Sequence, residues 1–180
     1  MQMRYESKYL SRILLDAYSE WNAREKRHPG EHQILVFAMT NAHARAVANQ
    51  LSAMVPASEG FTVDWVGQAR SKTENDSVMS AYQDGSLKCL VQVDKAGEGF
   101  DNVRCSVLLF LHLVGSEPKL LQQLGRGRRR NYALQFNEDS FTCLASADTP
   151  IADLIRNEEE DTRAVLPPEH EASAEREQLE

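Results

Sequence analysis

Cys105-Ser106-Val107-Leu108-Leu109-Phe110-Leu111 carries no charge and no polar alternation. A strand open to water on one side alternates apolar and polar residues, so an unbroken apolar run of this length predicts a strand buried on both faces, the condition of strands inside a parallel sheet. Working outward, Gln33 to Ala38 and Leu87 to Val93 read the same way, Phe61 to Val66 alternates with period two, and Ser140 to Leu144 supplies a last strand. Helical patterns separate them. Tyr9, Leu10, Ile13, Leu14, Ala17, Tyr18 and Trp21 return at three- and four-residue intervals until His28-Pro29-Gly30 ends the run. The Thr40-Asn41 pair can cap a helix carrying Ala44, Val47, Ala48 and Leu51, and Ser71-x-x-Glu74 is a capping box opening a helix that Asp84-Gly85 closes. Pro118 is a good first helical residue for a short helix, and Ile151 to Ile155 suggests a final turn. Strands alternating with helices predict a doubly wound α/β layer structure with right-handed crossovers.

The 180 residues suffice for one domain with a tail. The expected organisation is an amphipathic helix over residues 1–30 packing on a domain over 31–156, then an acidic, disordered tail over 157–180. That tail holds nine acids and two bases, which leaves 18 of each in the body, so the net charge of −7 belongs to the tail. With a Debye length of about 8 Å at physiological salt, a neutral body can still present a local positive site. No apolar run reaches the roughly 18 residues of a membrane span and no signal-peptide core opens the chain, so a cytoplasmic protein is expected, away from membranes. Cys89, Cys105 and Cys143 form no C-x-x-C pair and are expected to be buried small hydrophobes. His28, His32, His43, His112 and His170 lack metal-ligand spacing, and no metal site is expected.

One segment stands apart in its chemistry. Leu121-Gln122-Gln123-Leu124-Gly125-Arg126-Gly127-Arg128-Arg129-Arg130 gathers four arginines and two glycines behind a short amphipathic run. Arginine holds its charge at any working pH and offers a planar fork of donors, which suits phosphate oxygens.

Gln122-x-x-Gly125-Arg126-x-x-Arg129, taken with Asp94-Lys95-Ala96-Gly97-Glu98-Gly99-Phe100-Asp101 ahead of it, resembles motifs VI and V of superfamily 2 helicases, with Ile34 to Thr40 in the place of motif IV. The resemblance runs from about Gln33 to Ile155. With Ser116 ahead of Gln122, it is most similar to the DEAD/DEAH-type restriction-subunit and repair translocases. It implies an α/β fold of RecA-like, three-layer form with a mostly parallel central sheet, the helicase C-terminal lobe.

The resemblance also implies roles. Arg126 and Arg129 match arginine fingers that stabilise charge on the γ-phosphate of ATP, and Gln122 would bond the phosphate or the attacking water. Gly125 and Gly99 would let backbone approach closely, and Asp101 would bond ribose or steer a finger. Thr40, Asn41, Val93, Asp94 and Lys95 lie at strand ends where nucleic-acid phosphates would be touched, DNA being expected ahead of RNA. Val93 stands where many relatives have threonine, which removes a hydroxyl contact; Lys95 either compensates or is a solvated loop lysine. Arg70 is a further phosphate contact or surface decoration, and Arg128 and Arg130 are solvated or phosphate contacts. Gly97-x-Gly99 fails as a dinucleotide fingerprint because Asn102 stands in the third glycine position.

The chain contains no G-x-x-x-x-G-K-[ST] loop and no D-E-x-[HD] segment. The expectation is therefore a second motor lobe of an ATP-dependent helicase or translocase, as a fragment or a split subunit. A first RecA-like lobe, in cis or in trans, would hold the magnesium, and the lobe alone would not turn over ATP. The competing expectation is a non-catalytic module with a helicase-like fold that binds a polyanion or a protein.

Overall fold

The computed structural model describes residues 7–55, 59–93, 102–112, 114, 117–136, 138–146, 151 and 153. Asp94, Lys95, Gly99, Asp101, Ser116 and the acidic tail lie outside the described residues. The chain divides into two units, Met1–Thr149 and Pro150–Glu180, and of the second only Ile151 and Asp153 are described, both helical.

The first unit runs α1 (Ser7–Glu25), β1 (Gln33–Phe37), α2 (Asn41–Met54), β2 (Val63–Val66), α3 (Lys72–Asp84), β3 (Cys89–Gln92), β4 (Cys105–Phe110), α4 (Glu117–Leu124) and β5 (Thr142–Ala145). The strands form one sheet in the order β2-β3-β1-β4-β5, and every pairing is parallel. This is an α/β fold with an all-parallel sheet, as the uninterrupted apolar runs imply, and it is of the RecA-like type that the motif resemblance implies. All residues of β1, β3 and β4 are buried, whereas β5 is half-exposed throughout and β2 is buried only at Val66. The two classes of strand thus sort into the middle and the rims of the sheet.

One face of the sheet packs Ile34, Val36, Cys89, Val91, Val107 and Leu109 against Leu10, Ile13, Leu14, Ala17 and Trp21 of α1 and Ala44, Val47 and Leu51 of α2. Alternate residues Leu35, Leu90, Leu108 and Phe110 are equally buried on the other face, where Gln33 Nε2 ties the sheet to α3 by donating to Tyr82 O at 2.7 Å. Helices on both faces account for the lack of alternation in the sequence. Fully burying each such Leu or Ile contributes about 1.5–3 kcal/mol against leaving it exposed.

Local signals end the elements where the residues dictate. Thr40 caps α2, its side chain accepting from His43 N at 3.1 Å. Both halves of the Ser71–Glu74 capping box are formed, and Gly85, at φ 90°, closes α3 in the left-handed region that a side chain disfavours. Buried Arg24, near the end of α1, donates to Ser140 O at 2.6 Å and to Thr142 Oγ1 at 2.8 Å, which fastens that helix to the start of β5. No helix among the described residues is long and apolar enough to cross a membrane.

Candidate functional site

The residues singled out by the sequence fall at opposite ends of the parallel strands. Thr40, Asn41 and Val93 sit at the carboxyl ends of β1 and β3, beside Gly67 at the end of β2. Loops at this end of a parallel sheet converge, which is why open α/β sheets place ligands there.

The geometry of that edge rests on Asn75. Its carboxamide, 6% exposed, accepts from Gly67 N at 3.0 Å and donates to Gly67 O at 2.9 Å and Arg70 O at 3.2 Å, so one side chain fixes the whole β2–α3 turn. Gly67 is itself required by a neighbour, since a Cβ there would lie 2.0 Å from Asn41 Oδ1. That oxygen is buried and has no hydrogen-bond partner, an uncommon condition for a buried acceptor. The sequence reading missed Gly67 and Asn75. A signal for Asn75 was present: Asn75, Val78 and Tyr82 form the buried stripe of α3, and a polar residue on such a stripe must find partners inside.

Arg70 belongs to the same turn but is committed to it. Its guanidinium pairs with Asp64 at 2.7 Å, donates to Trp65 O at 2.5 Å and lies 5.2 Å from the Trp65 ring centroid. These contacts bind the turn to the edge strand.

The arginine segment returns to the amino end of the strands. α4 leaves β4 at its carboxyl end and runs back toward the starts of the strands, with its last turn continued by Gly125 N donating to Leu121 O at 2.9 Å and Arg126 N to Gln123 O at 3.1 Å. Asn131 Nδ2 then donates to Glu31 Oε2 at 3.1 Å, just before β1. Gly127 lies under Phe141, the residue before β5; a Cβ at Gly127 would come within 2.7 Å of that ring.

Within this segment the four arginines occupy different environments. Arg126 is 8% exposed, and its charge acts on the buried Cys105 thiol at the start of β4. Burial dominates there, pushing the thiol up to about 12, while the Tyr82 hydrogen bond and the Arg126 charge oppose it. Arg128 and Arg129 are exposed. Arg130 pairs with Asp139 at 2.8 Å and donates to Leu134 O at 3.1 Å, so it holds the following loop rather than standing in solvent. Gln122 is exposed, whereas its neighbour Gln123 is buried with its amide 3.4 Å from His112 Nε2.

The cysteines are free thiols; Cys89 and Cys105 are buried as expected, but Cys143 is only partly so because β5 is a rim strand. Among the described residues no cluster of His, Cys, Asp or Glu could hold a metal ion. His32 is packed inside, its Nδ1 3.0 Å from Ser106 Oγ, and burial lowers its pKa to about 4.

The helicase conserved C-terminal domain model matches residues 11–131, about two thirds of the chain. Among curated proteins, the ATP-dependent RNA helicase eIF4A of Meyerozyma guilliermondii is 24% identical over 110 residues, 59% of this chain and 26% of the relative. The chain thus spans about a quarter of that relative's length. Among solved structures, domain 2 of the DEAD-box helicase Mss116p, bound to an RNA duplex, superposes with a TM-score of 0.58 at 12% identity, covering 76% of this chain and 50% of the other. The Hef helicase domain of Pyrococcus furiosus gives 0.53 at 19%, covering 81% and 28%. Family match and strand topology agree, and the chain belongs to the helicase conserved C-terminal domain family, with the RecA-like fold that these solved helicase domains share.

Proposed function

We propose that this lobe works as the second half of an ATP-dependent nucleic-acid motor, with nucleotide phosphates met at the amino edge and the nucleic-acid backbone met at the carboxyl edge. The observation that carries this reading is the separation of the two motif sets onto opposite strand ends, with an exposed Arg129 and an exposed Gln122 on the arginine segment. A guanidinium and a carboxamide are donors that suit phosphate oxygens, so the residues present fit the terminal phosphates of ATP. Bound ATP supplies the transferable phosphoryl group, and the first lobe supplies the magnesium site. Arg129 would place its charge beside the transferring group, where such a finger contributes about 10³–10⁵ in rate. Arg126, being buried, would hold the segment in register beside β4 and complete the phosphate contact when the lobes close. Asp101 and Gly99 are proposed on the nucleotide side, and Asp94 and Lys95 beside Thr40, Asn41 and Val93 on the nucleic-acid side. Arg70 is left out because its guanidinium is taken by Asp64 and Trp65.

For the track we propose RNA ahead of DNA, in place of the preference drawn from the motifs, because the curated relative is named as an RNA helicase. Backbone amides at strand ends carry no base readout, so the discrimination would rest on shape and the 2′-hydroxyl.

The test supplies a first lobe in trans. ATP hydrolysis that needs both lobes, rises with RNA and vanishes for Arg129→Ala supports the motor; robust hydrolysis by this chain alone refutes the division of labour. A module that merely binds polyanions, the reading that Arg126 burial favours, would bind RNA with a steep salt slope and show no rescue of hydrolysis.

A further inference from the structure

Directly after the arginine segment, the loop Asn131 to Ser140 displays two aromatic rings in water. Tyr132 is 88% exposed and Phe136 86%, while Leu134 between them is 6% exposed and plugs the loop into the body. Single exposed apolar residues are ordinary on protein surfaces, but this pair shares one cation. The Arg130 guanidinium lies 5.8 Å from the Tyr132 ring centroid and 5.3 Å from that of Phe136, within cation–π reach of both.

The loop that carries the rings is closely tied. Arg130 pairs with Asp139 at 2.8 Å, Asn131 N donates to the same carboxylate at 3.0 Å, Ala133 N to Asn131 Oδ1 at 3.0 Å, and Asp139 N to Gln135 O at 3.0 Å. Rings fixed in this way lose little freedom on meeting a flat ligand, which favours binding. The family match ends at residue 131, so the rings stand outside the part of the chain that the family shares.

The surroundings select the kind of ligand. Apart from the two rings and the small Ala133, the exposed positions include polar Gln135 and Ser140, and these apolar groups make far less than the roughly 1,000 Å² that a stable protein interface buries. A flat aromatic group joined to an anion fits better, because exposed Arg129 lies three residues before Tyr132, at most about 10 Å of chain. Both a free nucleotide and a nucleic-acid strand have that chemistry. The rings sit at the amino edge, across the sheet from Thr40, Asn41 and Val93, and this favours the mononucleotide.

We infer that Tyr132 and Phe136, held about Arg130, form a stacking platform for the purine base of the nucleotide whose phosphates meet Arg129. The inference rests on the motor reading, from which it takes the position of those phosphates. Stacking on a ring is insensitive to base identity, so the platform would raise affinity for purine nucleotides in general and leave selection of adenine to other groups.

The test uses this chain of 180 residues, titrated with ATP, inorganic tripolyphosphate and a short single-stranded oligoadenylate by ligand-observed NMR. ATP should bind more tightly than tripolyphosphate. Tyr132→Ala and Phe136→Ala should each weaken ATP by roughly 5- to 150-fold, the range for removal of a base-stacking ring. Tripolyphosphate binding should be unchanged, Tyr132→Phe should bind ATP as the parent does, and an azidoadenine ATP analogue should photolabel the peptide holding residues 132–136. Should Phe136→Ala lower the unfolding midpoint, Phe136→Leu keeps apolar bulk without the ring and carries the measurement. Equal affinity for ATP and tripolyphosphate, including no measurable binding of either, overturns the platform, as do ring variants that weaken the oligoadenylate alone. Failure of the motor reading shows separately, as tripolyphosphate binding that Arg129→Ala leaves intact.

Discussion

The two ends of this sheet solve different problems with different parts of the chain. At the carboxyl edge the notable groups are small side chains and backbone held in place: a Thr40 cap, a Gly67 that leaves room for Asn41, and an Asn75 carboxamide that fixes the turn from beneath. At the amino edge they are long cationic side chains, some committed to the fold and some presented to water. The contrast teaches that one lobe can divide its work between shape and charge. On the proposed function, a repeating backbone would be met by fixed short-range geometry, and a multiply charged phosphate group by guanidinium groups whose supports come from elsewhere in the fold.

The largest expected effect sharpens that contrast. With a first lobe present, Arg129→Ala should reduce ATP turnover by about 10³–10⁵ while lowering the unfolding midpoint less than a change at a buried arginine would, because its side chain is exposed. Arg126→Ala should lower both turnover and stability, since its side chain is buried. Steady-state hydrolysis and urea unfolding on the same preparations separate the two arginines. Identical profiles for the two variants would erase the distinction between finger and anchor.

At the other edge, Asn75→Ala removes three hydrogen bonds and strands buried Gly67 N, while Gly67 O keeps the Arg70 amide at 3.2 Å, a cost of about 1–3 kcal/mol in urea unfolding. RNA affinity should fall with it while tripolyphosphate binding holds, because the damage is confined to the carboxyl edge. Equal loss of both would show that the two ends are coupled through the sheet.

His32 makes the amino end sensitive to acid. Its pKa falls from 6.5 to about 4 on folding, so between those values the unfolded chain takes up a proton that the folded chain refuses. Stability should therefore be level above pH 6.5 with respect to this group, decline by up to about 3 kcal/mol as the pH falls toward 4, and lose nothing further from it below that. Urea midpoints against pH, with His32→Gln as the flattened control, check the slope. The smallest effect is expected from the exposed capping box, where Ser71→Ala should cost about 1 kcal/mol and leave both ligand edges unaltered.

Much of this was legible from the sequence, and for a physical reason. The runs at β1, β3 and β4 lack alternation because helices cover both faces, and the capping box on α3 is a local hydrogen-bond pattern written within four residues. The strand Phe61 to Val66 was harder. It shortens to Val63–Val66, and Phe61 instead joins Tyr18 and Trp21, 5.2 and 4.8 Å away between ring centroids, in a contact that spans some forty residues of chain. The roles of Arg70 and Arg130 were not legible either, because their partners Asp64 and Asp139 become neighbours only when the turn and the loop close.

By itself the sequence determined the layer architecture, the order of the strand and helix units and the helicase motifs, since periodic burial and short motifs depend on residues close along the chain. Only the tertiary structure decided which of four neighbouring arginines enters the body, which is pinned to Asp139 and which reach water. Whether a guanidinium is buried or exposed depends on how closely distant segments pack around it, and those segments meet only once the sheet is assembled.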